Sequence, residues 1–189
     1  MNITPDEARV ALDTIERAKS KARSVRNFQT YIALLWSVIW IVGFLASQLL
    51  PQWISWIWGV LDSIGIVGFV LLDFLRRRKI RLAPGSWAAT IETRVGTLYN
   101  VLFGLAIFGL IVFRLTAIQA AMMWVVVMMV AFIIIGVWFR EWVSSCVGVG
   151  VILMSVVGYA LFPSIFWLWE AIFAGVPVFV LAIYYLRRI

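Results

Sequence analysis

Long apolar runs separated by short polar clusters dominate the chain, at about 31–50, 54–75, 96–115, 117–139, 142–162 and 164–186. Each is close to the ~20 residues that carry an α-helix across a hydrocarbon core. The pattern predicts an all-α, polytopic membrane protein with six transmembrane helices arranged as three hairpins. Residues 1–30 form a separate segment in this reading, and residues 31–189 the membrane domain. The turn between the third and fourth spans is weakly marked, because neither proline nor glycine occurs across Leu115–Gln119.

The first segment has its own pattern. Thr4-Pro5-Asp6-Glu7 is a helix start: threonine caps, proline suits the first helical position, and glutamate at the third completes a capping box. Ala8, Ala11, Ile15, Ala18, Ala22 and Val25 then recur in steps of three and four, with Leu12 beside them. This predicts a cytoplasmic amphipathic helix running to about Val25. Its thin, alanine-rich seam suits packing on another helix better than membrane insertion, so Leu12, Ile15, Ala18 and Ala22 are candidate docking residues. The simpler alternative is a tether lying on its own bundle. The segment has no apolar core and no small-residue cleavage site, so the first span is expected to serve as the insertion signal.

Composition supports the membrane assignment: 64% of residues are hydrophobic and the mean hydropathy is +1.02, far from a soluble domain. The net charge of +7 would suggest nucleic acid in a soluble protein. Here the charges sort by predicted side. Arg9, Arg17, Lys19, Lys21, Arg23 and Arg26 precede span one; Arg76, Arg77, Arg78, Lys79, Arg81 and Arg94 lie between spans two and three; Arg140, Arg187 and Arg188 fall on the same side. Only Arg114 falls opposite. The positive-inside rule then places both termini in the cytoplasm, with anionic headgroups as the partner of the basic residues and no role for nucleic acid. Trp53, Trp56, Trp58, Trp167 and Trp169 are expected at the outer boundary, and Trp36, Trp40, Trp87, Trp138 and Trp142 at the inner one, as aromatic belts.

Internal similarity links spans two and six. Trp56-Ile57-Trp58 matches Trp167-Leu168-Trp169, and Leu75-Arg76-Arg77 matches Leu186-Arg187-Arg188, at one constant offset. Upstream, Gly43-Phe44 with Pro51 recurs as Gly158-Tyr159 with Pro163, at a slightly different spacing. Spans one and two thus resemble spans five and six, as a parallel repeat about the membrane normal. Convergence of aromatic belts and arginine stops on similar strings is the competing explanation. The run Val42-Gly43-Phe44-Leu45-Ala46-Ser47, Gly158-Tyr159 before Pro163, and the closing Leu186-Arg187-Arg188 resemble a group of small bacterial six-helix inner-membrane proteins. The resemblance implies a bacterial inner-membrane location, and no activity, substrate or site.

An acid inside a span costs about 2.5–3.5 kcal/mol at the centre, so each needs a reason. Asp73 precedes Arg76 and Arg77 by one turn, and Glu141 adjoins Arg140; both read as boundary charge. Asp62 and Glu170 lie deeper, roughly 12 and 9 Å inside the outer ends of spans two and six at 1.5 Å per residue. In the repeat frame Glu170 aligns with Gly59, which leaves the two acids within about 60° of one helix face. If spans two and six are neighbours, the carboxylates converge and bind a proton or cation, with Arg114 as counter-charge. Gly65 and Gly68 in span two, and Gly175 and Pro177 in span six, are candidate hinges below these acids. Ala171-xxx-Gly175 and Ser144-xxx-Gly148 are equally the small-residue contacts of ordinary helix packing.

Absences narrow the chemistry. The chain has no histidine and a single cysteine, Cys146, which excludes histidine-dependent triads, thiol pairs and His/Cys metal sites. Ala83-Pro84-Gly85-Ser86 is a reversal and not a phosphate loop. No cofactor or metal is implied and no enzyme is expected. Two readings stand: association with a second copy or a cytoplasmic partner through the first helix and the 76–95 connection, or proton- or cation-coupled transport through Asp62 and Glu170.

Overall fold

The computed structural model describes residues 4–79 and 87–188. It is all-helical, with no strand among the described residues. Helices α1 (Pro5–Leu49), α2 (Ile54–Lys79), α3 (Trp87–Phe113), α4 (Ala117–Phe139) and α5 (Trp142–Leu161) are followed by a last span in three pieces: α6 (Phe166–Glu170), a π turn (Ala171–Gly175) and α7 (Val176–Leu186). Six of the resulting segments are long and apolar enough to cross a membrane: Phe28–Leu49, Pro51–Arg76, Thr93–Phe113, Ala117–Phe139, Trp142–Leu161 and Pro163–Leu186.

The first helix does not end near Val25, as the sequence predicts. α1 is one uninterrupted helix of 45 residues, so the amino-terminal segment continues the first span without a break. No proline or glycine lies between Pro5 and Gly43 to stop it. Leu12 is 63% exposed. The side chains of Ile15, Ala18 and Ala22, and the Ala83-Pro84-Gly85-Ser86 reversal, lie outside the described residues.

Small residues set the helix order. α2 runs antiparallel along α1, with Gly43 under the Trp58 ring, Gly65 against Trp36 and Ile39, and Gly68 against Leu35. The last span packs on the other side of α1 and then on α5; α5 packs on α4, and α3 on α4 with a smaller contact to α1. The most extensive interface, α4 with α5, lies across the boundary between the expected second and third hairpins. Its closeness comes from Gly136, which faces the Ser145 hydroxyl and backbone, and from Gly148, which faces Ile133 and the Met129 carbonyl. The core joins Ile39, Trp40 and Phe44 of α1 to Val125 and Met129 of α4, Val151 of α5, and Phe166, Trp167, Ala171 and Ala174 of the last span. Of the six apolar segments, Phe28–Leu49 and Pro163–Leu186 are the most buried, and Pro51–Arg76 the least.

The weakly marked turn is closed by polar side chains. Arg114 takes a left-handed conformation after α3 (φ 46°). Thr116 then caps α4: its hydroxyl accepts from the Gln119 N–H at 3.4 Å, while the Gln119 side-chain oxygen accepts from the Thr116 N–H at 3.0 Å. At the next turn Arg140 is left-handed (φ 57°), and the Arg140 and Glu141 N–H groups bond back to Val137 and Gly136 carbonyls at 3.2 and 2.7 Å. This double bond-back ends α4 in the way glycine usually does.

Two inter-helix turns repeat each other closely. Leu50 (φ −131°, ψ 59°) leads into a 3₁₀ turn at Pro51–Trp53, and Phe162 (φ −130°, ψ 48°) into one at Pro163–Ile165. The Leu50 N–H bonds to the Ala46 carbonyl at 2.8 Å, and the Phe162 N–H to the Gly158 carbonyl at 3.0 Å. Across each turn a glycine of the preceding helix receives a tryptophan of the following one: Gly43 receives Trp58, and Gly158 receives Trp169. These are the residues that the sequence similarity pairs.

Candidate functional site

The last span carries the deepest polar group. Glu170 ends α6 and is 0% exposed. Its Oε2 accepts from the Ser155 hydroxyl of α5 at 3.0 Å, and Ser155 is itself buried. Its Oε1 is buried without a hydrogen-bond partner. One helical step away, the Trp169 indole N–H donates to the Met154 carbonyl at 2.7 Å and the ring stacks on Phe162 at 4.7 Å. The acid is therefore clamped from α5 on two adjoining positions.

The π turn follows Glu170 directly, and its cause is local. Pro177 has no N–H for the Phe173 carbonyl, and its ring crowds that carbonyl in a regular α-helix. Widening the turn relieves this: the Val176 N–H reaches back five residues to the Ala171 carbonyl. Gly175 then lies against the α1 backbone, where a Cβ would stand 2.6 Å from Ile41 Cγ1 and 3.2 Å from the Ile41 nitrogen. Above it, the Gln48 side chain accepts from the Leu168 N–H and donates to the Ser164 carbonyl, each at 3.3 Å.

Asp62 is elsewhere. It is exposed on α2, and no hydrogen bond or ion pair joins it to Glu170 or Arg114 among the described residues. Phe44 of α1 lies between the two helices, 5.1 Å from Trp58 and 6.2 Å from Trp167, ring to ring. Spans two and six are thus both neighbours of α1, and their acids are not brought together. Arg114 is exposed in the α3–α4 turn. Of the candidate hinges, Gly65 and Gly68 sit in an unbroken α2 and serve close packing on α1, whereas Gly175 and Pro177 border the π turn.

A second polar cluster joins the opposite ends of α5 and α7. The Tyr185 hydroxyl lies 2.9 Å from the Ser144 hydroxyl and donates to Glu141 Oε2 at 3.2 Å. Glu141 is therefore bound to tyrosine as well as flanked by Arg140. Asp73 pairs with Arg76 at 2.8 Å, and the Arg76 guanidinium also covers the Phe28 ring at 4.5 Å. The tryptophans divide in two. Trp53, Trp56, Trp138 and Trp142 are exposed, as belt residues would be, while Trp40 and Trp167 are core; Trp58 donates to Ser47 at 3.1 Å.

Ser155 and Tyr185 carry contacts that the sequence did not single out, and Ser144, expected only as a packing residue, also meets the Tyr185 hydroxyl. Ser155 had a readable signal: it stands about as deep in span five as Glu170 stands in span six. No group of three metal-binding acids or thiols occurs among the described residues. No protein-family model, curated protein or solved structure matches the chain.

Proposed function

We propose that this chain is a non-enzymatic bacterial inner-membrane protein that acts by association, with both termini in the cytoplasm. The docking surfaces are the amino-terminal part of α1 and the 76–95 connection. The unbroken α1 carries this reading. Residues 5–27 extend roughly 35 Å at 1.5 Å per residue, and folding them flat on the bundle would break backbone bonds of a continuous helix. The exposed Leu12 lies on this extension. The sorting of basic residues supports its cytoplasmic side. The hairpin repeat belongs to the same reading, supported by the paired proline turns and the paired glycine–tryptophan contacts.

Affinity purification from native membranes, of the full chain beside a 1–26 deletion, tests the proposal. A second copy or a cytoplasmic protein should co-purify with the full chain and be lost with the deletion, while the bundle stays folded. Capture retained by the deletion would reject α1 as the docking element. Proton-coupled transport is the second reading, and the buried, half-partnered Glu170 is the observation that favours it. Asp62 takes no part in that version.

A further inference from the structure

A carboxylate at Glu170 would be a net charge with no cation to meet it. The membrane-spanning parts of the helices around it, residues 28–49, 117–139 and 142–161, contain no Asp, Glu, Lys or Arg, and Glu170 is the only such residue in 163–186. The other titratable groups on these segments are Tyr31, Cys146, Tyr159, Tyr184 and Tyr185. Among the described residues none of them is hydrogen-bonded to Glu170. Tyr159 is engaged instead by the Gln119 amide at 3.4 Å, and Tyr185 by Ser144 and Glu141. A buried ion without a counter-charge costs several kcal/mol, whereas a neutral carboxyl leaves one carbonyl-like oxygen unpaired, at about 1–3 kcal/mol.

The donor set also selects the ligand. Two carboxylate oxygens and one serine hydroxyl fall short of the six to eight oxygens, at about 2.3–2.6 Å, that a hard cation such as Ca²⁺ requires. A proton needs one oxygen and one hydrogen-bond partner. With a proton on Oε2, the 3.0 Å contact to Ser155 runs with Glu170 as donor.

We propose that Glu170, Ser155 and the π turn Ala171–Gly175 form a proton-binding site, in which the protonated carboxyl keeps α6 seated between α1 and α5. The proposal deepens the proton reading above and stands independently of the docking reading. The π turn supplies the moving part. Closing it to a regular α-helix removes one residue from the turn and rotates α6 against α7 by about 100°, which swings Glu170 away from Ser155. The proton then passes from the carboxyl oxygen to a water molecule that reaches it from the near membrane face, which is roughly 9 Å away along the span. Because Gly175 rests on Ile41, the same rotation presses on α1, the helix that continues to Pro5.

Infrared spectroscopy of the full chain in phosphatidylcholine/phosphatidylglycerol nanodiscs tests this, in H₂O and D₂O across a pH series. At neutral pH ordinary carboxyls, with pKa near 4, are ionised. The expected result is a protonated-carboxyl C=O band at that pH, which shifts in D₂O, disappears in Glu170→Gln and persists in Asp62→Asn. Ser155→Ala should keep the band at a higher frequency, because a hydrogen bond is lost. Pro177→Ala, which lets the turn close, should alter the band as well. No band in the native protein, or a band that survives Glu170→Gln, overturns the site. If Glu170→Gln does not fold, an unshifted band in Ser155→Ala overturns it instead. A Pro177→Ala band identical to the native one overturns the role of the π turn.

Discussion

Gly148→Ala and Gly150→Ala, two residues apart on α5, should differ in stability by about 1–3 kcal/mol. At Gly148 a Cβ would stand 2.8 Å from Ile133 Cγ1 and 3.0 Å from the Met129 carbonyl oxygen. The isoleucine can rotate, but the carbonyl belongs to α4 and moves only with that helix. At Gly150 a Cβ meets nothing within 4 Å. Alanine gains up to about 1 kcal/mol over glycine in a helix at either position, and this gain cancels in the difference, as does any helix retained in the unfolded state. What remains is the overpacking of one helix pair. Gly150→Ala is expected to be neutral or stabilising by up to about 1 kcal/mol, and Gly148→Ala destabilising by up to about 3 kcal/mol. Reversible unfolding of both variants in the same mixed micelles, followed by steric trapping, measures the difference. Equal stabilities within about 0.5 kcal/mol would refute the claim that α4 and α5 approach through Gly148.

Two more substitutions probe the polar ties of the last span. Trp169→Phe keeps the ring against Phe162 and removes the donor to the Met154 carbonyl; a loss of about 1 kcal/mol is expected in the same unfolding assay, and an unchanged midpoint contradicts the hydrogen bond. Tyr185→Phe removes the hydroxyl shared by Ser144 and Glu141 and should cost about 0.5–1.5 kcal/mol. Combining it with Ser144→Ala should cost less than the sum of the two single changes, because both break one contact; strict additivity would show that the contact does not contribute.

Several local features were legible for physical reasons that need no tertiary context. Thr116-Ala117-Ile118-Gln119, passed over because neither proline nor glycine marks the turn, is nonetheless a local capping-box string that closes it. Pro51 and Pro163 begin 3₁₀ turns of the same geometry, and Pro177 adjoins the π turn of the last span. Ser144-xxx-Gly148 and Ala171-xxx-Gly175 do lie at close helix contacts. The end of the first helix was less legible, because the polar residues that follow Val25 are also good helix formers. Nothing in 26–31 stops the helix.

Pairing between distant residues was not readable in the same way. Asp62 and Glu170 share a helix face in the repeat frame, yet whether two faces meet depends on which helices are neighbours. That is decided by where small residues allow the closest approach: Gly43, Gly65 and Gly68 bring α2 onto α1, and Gly175 brings the last span onto its other side. One acid is left exposed and the other sealed against Ser155. The tryptophans divide for the same reason, since a belt residue and a core residue look alike in one dimension.

The six apolar spans and the spacing of basic residues between them follow from the amino-acid order alone, because transfer into hydrocarbon acts on each segment separately. That Glu170, and not Asp62, is the buried acid, and that α1 joins it to the amino-terminal segment, emerges from the packing of the helices. Burial of a single group is a property of all the helices packed around it.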